Sequence, residues 1–228
     1  MGVSETEAHA EARREAAPVV LVALLLLVLL AVVSKTQGWH LLNHLPWWVW
    51  LLLAVPEVVL SLDLLWTTRG PGSDRSRRYV LRLLGLLVAG NLLALMILVT
   101  GLVTTSTQNL GGGELLLTAF VIWITNVIVF GIWYWEIDLG GPVARCMSER
   151  EHPDSQFPQD ENPGLKRPGW RPKLWDYLYV SLTNSIAFSP TDAMPLTRHA
   201  KALMGLESAI SVVTVLLVAA RAVNVLAA

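Results

Sequence analysis

The last quarter of the chain carries the pattern that decides the fold. Residues 175–197 read WDYLYVSLTNSIAFSPTDAMPLT, and residues 198–226 continue as RHAKALMGLESAISVVTVLLVAARAVNVL. The first apolar run ends after 14 residues, which is too short to span a bilayer because a span needs about 20 apolar residues. The second run is long enough. The pattern therefore predicts a short re-entrant helix, a turn broken by two prolines, and a spanning helix.

Upstream of this segment, four other apolar stretches are long enough to predict membrane helices. Only 15% of the 228 residues are charged, whereas a soluble domain carries about 25%. The sequence therefore predicts an all-α integral membrane protein with five transmembrane helices plus the short re-entrant helix. The five predicted spans are Pro18–Ser34, Pro46–Trp66, Tyr79–Val103, Leu115–Trp135 and Ala202–Leu226.

Polar segments divide the chain into four regions. Residues 1–17 form a polar N-terminal tail, and residues 18–136 form a membrane region with four spans. Residues 137–173 form a long loop rich in proline and charge, and a loop of this length is usually functional or disordered. The short helix, the turn and the last span occupy residues 174–228.

Arginine and lysine positions predict the orientation in the membrane. Four arginines lie between the second and third predicted spans, and neither arginine nor lysine lies between the third and fourth. Because basic loops stay in the cytoplasm, the pattern predicts a cytoplasmic N-terminus in the plasma or inner membrane. The four arginines are Arg69, Arg75, Arg77 and Arg78.

Several classes of function are disfavoured. A net charge of −1 gives no support for binding nucleic acid, and the single cysteine allows neither an intrachain disulfide nor a thiolate cluster. His40 and His44 have ligand spacing but no third ligand nearby, so we predict no metal site. The chain has no H-E-x-x-H, G-x-S-x-G or P-loop motif. We therefore expect no enzymatic activity and no cofactor.

The C-terminal segment resembles the pore module of tetrameric potassium-channel-like proteins. Residues 176–183 are similar to the start of a pore helix, and residues 192–197 are similar to the Asp-x-x-Pro that follows a filter. Residues 201–208 and 220–224 are similar to an inner helix. The resemblance implies a homotetramer with a central pore. The filter itself is degenerate, because residues 187–191 contain a proline and no glycine, and a filter of backbone carbonyls needs torsions that glycine adopts easily.

A second resemblance is to a bacterial membrane-protein family of unknown function. It rests on Gly140-Gly141-Pro142, Phe157-Pro158, Asp176-Tyr177-x-Tyr179 and Thr191-Asp192. This resemblance implies an architecture but no chemistry.

The candidate site residues fall into three sets. The predicted constriction comprises Thr183, Asn184, Phe188, Ser189, Pro190, Thr191, Asp192 and Met194. The predicted pore-lining face of the last span comprises Glu207, Ser211, Thr214 and Arg221, and the other three lie within about 40° of Glu207 around a helix. Glu57 and Asp63 are acids within the second predicted span, where an ionisable residue suggests function.

Each set also has a structural interpretation. The polar face can pack against other helices, Asp192 can cap the last helix together with Thr197, and the acids of the second span can pair with Arg82. The leading functional prediction is a homotetrameric ion channel without a potassium-type filter, whose partners are the lipid bilayer, further copies of the chain and an ion. The alternatives are a non-conducting membrane scaffold and a small proton-coupled transporter that uses Glu57 and Asp63.

Overall fold

A computed structural model gives the architecture of most of the chain. It describes residues 4–38, 48, 51–52, 54–56, 58–59, 62, 74–103, 112–147, 152–162, 164, 166–189 and 192–226. Most of the predicted span Pro46–Trp66 lies outside the described residues, as do His40, His44, Glu57, Asp63, Pro190 and Thr191.

The described chain is mostly helical. Within the described residues, four helices are long and apolar enough to cross a membrane, as expected of a multi-pass membrane protein. In chain order, the elements are α1 (Glu5–Gln37), α2 (Asp74–Val103), α3 (Gly112–Ile137), a 3-10 turn (Asp138–Gly140), α4 (Pro142–Met147), β1 (Ser155–Gln156), α5 (Pro158–Glu161), α6 (Leu174–Ala187), β2 (Met194–Pro195) and α7 (Arg198–Leu226). The four apolar helices are α1, α2, α3 and α7.

Helix α1 begins well before its predicted apolar span. Ser4 accepts a hydrogen bond from the backbone of Glu7, and the Glu7 carboxylate accepts one from the backbone of Ser4. This reciprocal arrangement is a capping box, which satisfies donors that a helix start leaves free. The polar residues that precede Pro18 are therefore part of the helix, and Gly38 ends it in the left-handed conformation.

Helix α3 is the central helix, and it is the most deeply buried of the four. Arg77 of α2 donates to the backbone carbonyls of Glu136 and Ile137 at 3.4 and 3.2 Å. Deeper in the bundle, Thr125 donates to Asn91 of α2 at 3.4 Å. Together these contacts show that α2 runs antiparallel to α3.

The starts of α1, α6 and α7 also lie at the C-terminal end of α3, which we call the loop end. Glu11 of α1 pairs with Arg171, just before α6, at 2.5 Å. Thr197, just before α7, donates to Asp154 at 2.6 Å, and the backbone of Asp154 donates to Asp138. Helices α6 and α7, which follow one another in the chain, therefore start at the same end of the bundle.

The segment between α3 and α6, predicted as a loop, contains several ordered elements at the loop end. Ser155 pairs with Pro195 and Gln156 pairs with Met194 in a two-stranded antiparallel ladder. The fold is thus not purely helical, because this ladder ties the segment before α6 to the segment before α7.

Candidate functional site

The strongest candidate site surrounds the carboxylate of Glu207, at the junction of α3, α6 and α7. Glu207 is completely buried. Its Oε2 accepts hydrogen bonds from the hydroxyl of Tyr134 at 2.5 Å and from Nδ2 of Asn184 at 2.6 Å. Its Oε1 lies in hydrogen-bonding contact with the hydroxyl of Ser181. Three helices therefore meet at one carboxylate, and each side-chain partner is itself buried.

The partners of Glu207 are held in place by further hydrogen bonds. Asn184 donates its second amide hydrogen to the carbonyl of Met204 at 3.0 Å, and its Oδ1 accepts from Ser208 at 3.2 Å. These contacts fix which end of the amide faces Glu207, because a flipped amide would place its oxygen against two acceptors. Ser181 also reaches the carbonyl of Val127 on α3 at 2.8 Å.

The polar face of α7 is directed into its own protomer. Ser211 and Thr214 are buried together with Glu207, and α7 packs against both α3 and α6. Within the described residues, the hydroxyl of Ser211 and the amide of Asn126 on α3 have no hydrogen-bond partner. A pore-lining role of this face stays a prediction, and the side chain of Arg221 lies outside the described residues.

The predicted constriction is only partly brought to Glu207. Asn184 binds Glu207 directly, whereas Thr183 donates back to the carbonyls of its own helix, Tyr179 and Val180, at 3.0 Å. The remaining described residues of the set, Phe188, Ser189, Met194 and Asp192, make no hydrogen bond to the Glu207 carboxylate. Phe188, Ser189 and Met194 are exposed on the protomer surface, and Phe188 ends α6 with φ 55.

Asp192 lies in the segment that returns towards the loop end. Burial raises the pKa of its carboxyl, and the nearby charge of Asp176 raises it further. Asp176 is in the first turn of α6, where it accepts from the backbone of Lys173 at 2.7 Å. Asp192 therefore lies near the first turn of α6, whereas Glu207 lies where α3, α6 and α7 meet. The cap of α7 comes from Thr197, whose hydroxyl accepts from the backbone of Ala200 at 3.3 Å.

A second buried cluster, absent from the sequence predictions, surrounds Asp138 at the loop end. Its Oδ2 accepts from the hydroxyl of Tyr177 at 2.5 Å. Its Oδ1 accepts from the backbone of Asp154 at 2.7 Å and of Ser155 at 3.1 Å. One carboxylate thus joins the end of α3, the start of the two-stranded ladder and the first half of α6.

Arg145 of α4 completes the Asp138 cluster. Its guanidinium lies 4.9 Å from the centre of the Tyr177 ring, and it donates to the carbonyls of Trp135 at 2.6 Å and Pro172 at 3.1 Å. Phe157 packs edge-on against Tyr177 with ring centres 5.3 Å apart. The motifs Phe157-Pro158 and Asp176-Tyr177-x-Tyr179, on which the second resemblance partly rests, therefore meet here. The sequence signal that could have indicated this cluster is Asp138, which lies between the end of a predicted span and the turn Gly140-Gly141-Pro142.

No family model, no curated protein and no solved structure matches this chain. Among the described residues, no group of three or more histidine, cysteine, aspartate or glutamate side chains is arranged to hold a metal ion.

Proposed function

We propose that the chain is a multi-pass membrane protein that transports an ion, with Glu207 as the carboxylate that binds it. The observation that carries this proposal is a completely buried carboxylate within an apolar bundle. Three polar side chains from two other helices contact it, and the described part of the chain gives it no basic partner. Ionisable groups are expensive at membrane depth and are retained there mainly for function.

The helix directions support a re-entrant α6. Its 14 residues extend about 21 Å, less than the roughly 30 Å of a bilayer core. Ser181 and Asn184 of α6 contact Glu207 within α7, so the two helices enter the bundle side by side from the loop end. Residues 188–197 must then return to the loop end before α7 begins.

The same directions support five spans. Helices α1 and α2 both start at the loop end, so the chain between them has to cross back over the membrane. The predicted span Pro46–Trp66 is long and apolar enough for that crossing. With α1, α2, α3 and α7, it gives five spans and places the two termini on opposite sides.

Charge favours a cytoplasmic loop end. Basic residues collect there, whereas Lys35 lies at the opposite end of α1. Basic residues that flank spans remain in the cytoplasm, so we place the N-terminus inside, in a cell or inner membrane. The described basic residues at the loop end are Arg13, Arg14, Arg77, Arg78, Arg145, Lys166, Arg167, Arg171, Lys173, Arg198 and Lys201.

The homotetramer is a second part of the proposal. Phe188, Ser189 and Met194 of the predicted constriction lie exposed on the protomer surface. A constriction built from several copies requires such residues at the surface, and this supports an assembly with the return segments near the axis. Single-particle imaging in nanodiscs tests it: a four-fold ring is expected, and a monomer would contradict this part.

Flux measurements test the transport proposal. The purified protein in liposomes should dissipate imposed proton and alkali-cation gradients, followed with ion-sensitive dyes. Glu207→Gln should return the flux to that of protein-free vesicles, because the amide cannot carry the negative charge. Ser185→Ala is the matched control, since Ser185 is a buried hydroxyl of α6 that donates to Leu182 instead. Wild-type flux that Glu207→Gln leaves unchanged would contradict the role of Glu207.

A non-conducting scaffold is the competing candidate, and the folded segment between α3 and α6 favours it. A buried carboxylate network can also serve to fix one packing arrangement. Under this alternative, the wild-type protein transports no ion, while Glu207→Gln lowers the unfolding temperature.

A further inference from the structure

The hydroxyl of Ser181 has one proton and two acceptors. It lies in hydrogen-bonding contact with Oε1 of Glu207 and 2.8 Å from the carbonyl oxygen of Val127. A hydroxyl has a single donor and two acceptor lone pairs, so it fully satisfies one of these oxygens at a time. When it donates to Val127, its own lone pairs face Glu207, and the contact to Oε1 then requires a proton on the carboxyl group.

We propose that Glu207 reversibly binds a proton, and that the Ser181 hydroxyl turns between Glu207 and Val127 as it does so. This inference rests on the proposed function and identifies the transported or coupling ion as the proton. In the charged state, Ser181 donates to Oε1. In the neutral state, a new O–H bond on Oε1 donates to Ser181, and Ser181 donates to the Val127 carbonyl. The proton comes from water and returns to water.

Both states keep their polar groups satisfied. Tyr134 and Asn184 donate to Oε2 in either state, because a carboxylate oxygen and an acid carbonyl oxygen both accept. The second amide hydrogen of Asn184 stays on Met204. An unsatisfied buried group costs about 1–3 kcal/mol, and here neither state incurs that cost at Oε1. If Glu207 were always charged, Ser181 would need the carboxylate as its acceptor and no other. The Val127 carbonyl is the second acceptor that the neutral state requires.

The buried cluster around Asp138 lies between the loop end and Glu207. Tyr134 and Asp138 are four residues apart on α3, and Tyr177 and Ser181 are four apart on α6, so each pair lies on one helix face. The Asp138–Tyr177 pair is thus one turn nearer the loop end than the Glu207 contacts. Tyr134 is the titratable group that α3 directs at Glu207. The α6 contacts, Ser181 and Asn184, do not titrate.

The charged groups of the next layer also belong to the loop end. Arg145 of α4 lies against Tyr177, and Asp138 ends α3. On the other side of Glu207, α7 continues with Ser211 and Thr214, which carry no charge. In the described structure, at least one layer of neutral groups therefore lies between the carboxyl group of Glu207 and the charged side chains.

Infrared spectroscopy tests proton binding directly. The reconstituted wild-type protein is titrated from alkaline to acidic pH, and the same titration of Glu207→Gln is subtracted. We expect one carboxylic acid C=O band to grow as the pH falls. In Ser181→Ala the midpoint should move up by about one pH unit, because the charged form loses a bond worth about 1.5–3 kcal/mol, the neutral form loses one worth about 0.5–1.5 kcal/mol, and 1.36 kcal/mol is one unit. Ser185→Ala should keep the wild-type midpoint.

The outcomes separate this inference from the proposed function. A difference spectrum without a titrating band, or equal midpoints in wild type and Ser181→Ala, would overturn proton binding at Glu207 with the switch of Ser181. A titrating band in a protein that carries no ion in liposomes would uphold the inference and contradict the proposed transport. Cation flux without any titration would uphold transport and overturn the inference.

Discussion

Gly131 of α3 lies directly against Leu178 of α6. A Cβ atom at residue 131 would come within 2.7 Å of Cδ2 and 3.1 Å of Cα of Leu178. The second distance involves backbone, so a side-chain rotation cannot relieve it. Small residues allow helix backbones to approach closely inside membranes. The close approach at Gly131 brings Ser181 within reach of both α3 and Glu207.

Gly131→Ala should therefore destabilise the protein although alanine is the better helix former. The propensity gain is about 1 kcal/mol, whereas overpacking costs about 1–3 kcal/mol, and here it also moves α6 away from α3. We expect a lower unfolding temperature in detergent. Gly205→Ala in α7 is the control, because a Cβ there meets nothing within 4 Å. Equal stability of the two variants would contradict the close packing.

Asp138→Ala should loosen the loop end. The substitution leaves the Tyr177 hydroxyl and the backbone N–H groups of Asp154 and Ser155 without their acceptor. Each buried donor left unsatisfied costs about 1–3 kcal/mol, so we expect a large drop in stability and faster proteolysis between α4 and α6. Asp160→Ala removes an exposed ion pair with Lys166 and should change stability by at most about 1 kcal/mol. Similar digestion of both variants would count against the Asp138 cluster.

The apolar helices were predictable from the sequence because their hydrophobic runs are long. Helices α3 and α7 begin within four residues of their predicted spans. The start of α1 was missed because its first three turns are polar, although Ser4 and Glu7 form a capping box that the sequence contains. The sequence predicts residues 1–17 as a polar tail, and only the capping pattern indicates that the helix extends through them.

Glu207 and Asn184 of the candidate site were predictable one by one, whereas Tyr134, Ser181 and the arrangement of the four were not. Helical periodicity placed Glu207 on a polar face, and the short apolar run singled out Asn184. A single sequence shows which residues share a face, and not which helix that face meets. The partner Tyr134 is 73 positions from Glu207, and Tyr177 is 39 from Asp138. Such contacts follow from tertiary packing, which leaves no periodic signal.

The ion pairs between α1 and the segment before α6 should contribute modestly to stability. Glu11 binds Arg171 at 2.5 Å and Lys173 at 3.1 Å, and these groups are partly exposed. In a double-mutant cycle, Glu11→Ala and Arg171→Ala should couple by about 0.2–1 kcal/mol. High salt should reduce the coupling. Asp160→Ala and Arg171→Ala should instead be additive, and coupling of that size between them would show that the cycle reports something other than contact.

The same contacts predict a pH dependence at the alkaline end. The hydrogen bond from Lys173 to Glu11 raises the pKa of the Lys173 amine. A base whose folded pKa is raised adds stability that is fully present below its unfolded pKa and is lost as the pH rises through the folded value. Glu11→Gln should therefore weaken the attachment of α1 equally at all neutral pH values. Its effect should shrink above the usual lysine range near 10.4 to the part contributed by the Glu11–Arg171 pair, since arginine guanidinium groups stay charged there. Denaturation at several pH values measures this.

Labelling of single cysteines, introduced at two positions in a Cys146→Ser background, determines which side of the membrane the loop end faces. Asn162 is an exposed residue of the segment between α3 and α6, and Thr36 is exposed at the opposite end of α1. If the loop end is cytoplasmic, a membrane-impermeant maleimide should label Thr36→Cys in intact cells. It should label Asn162→Cys only after permeabilisation. Labelling of Asn162→Cys from outside would invert the orientation and contradict the inference drawn from the basic residues.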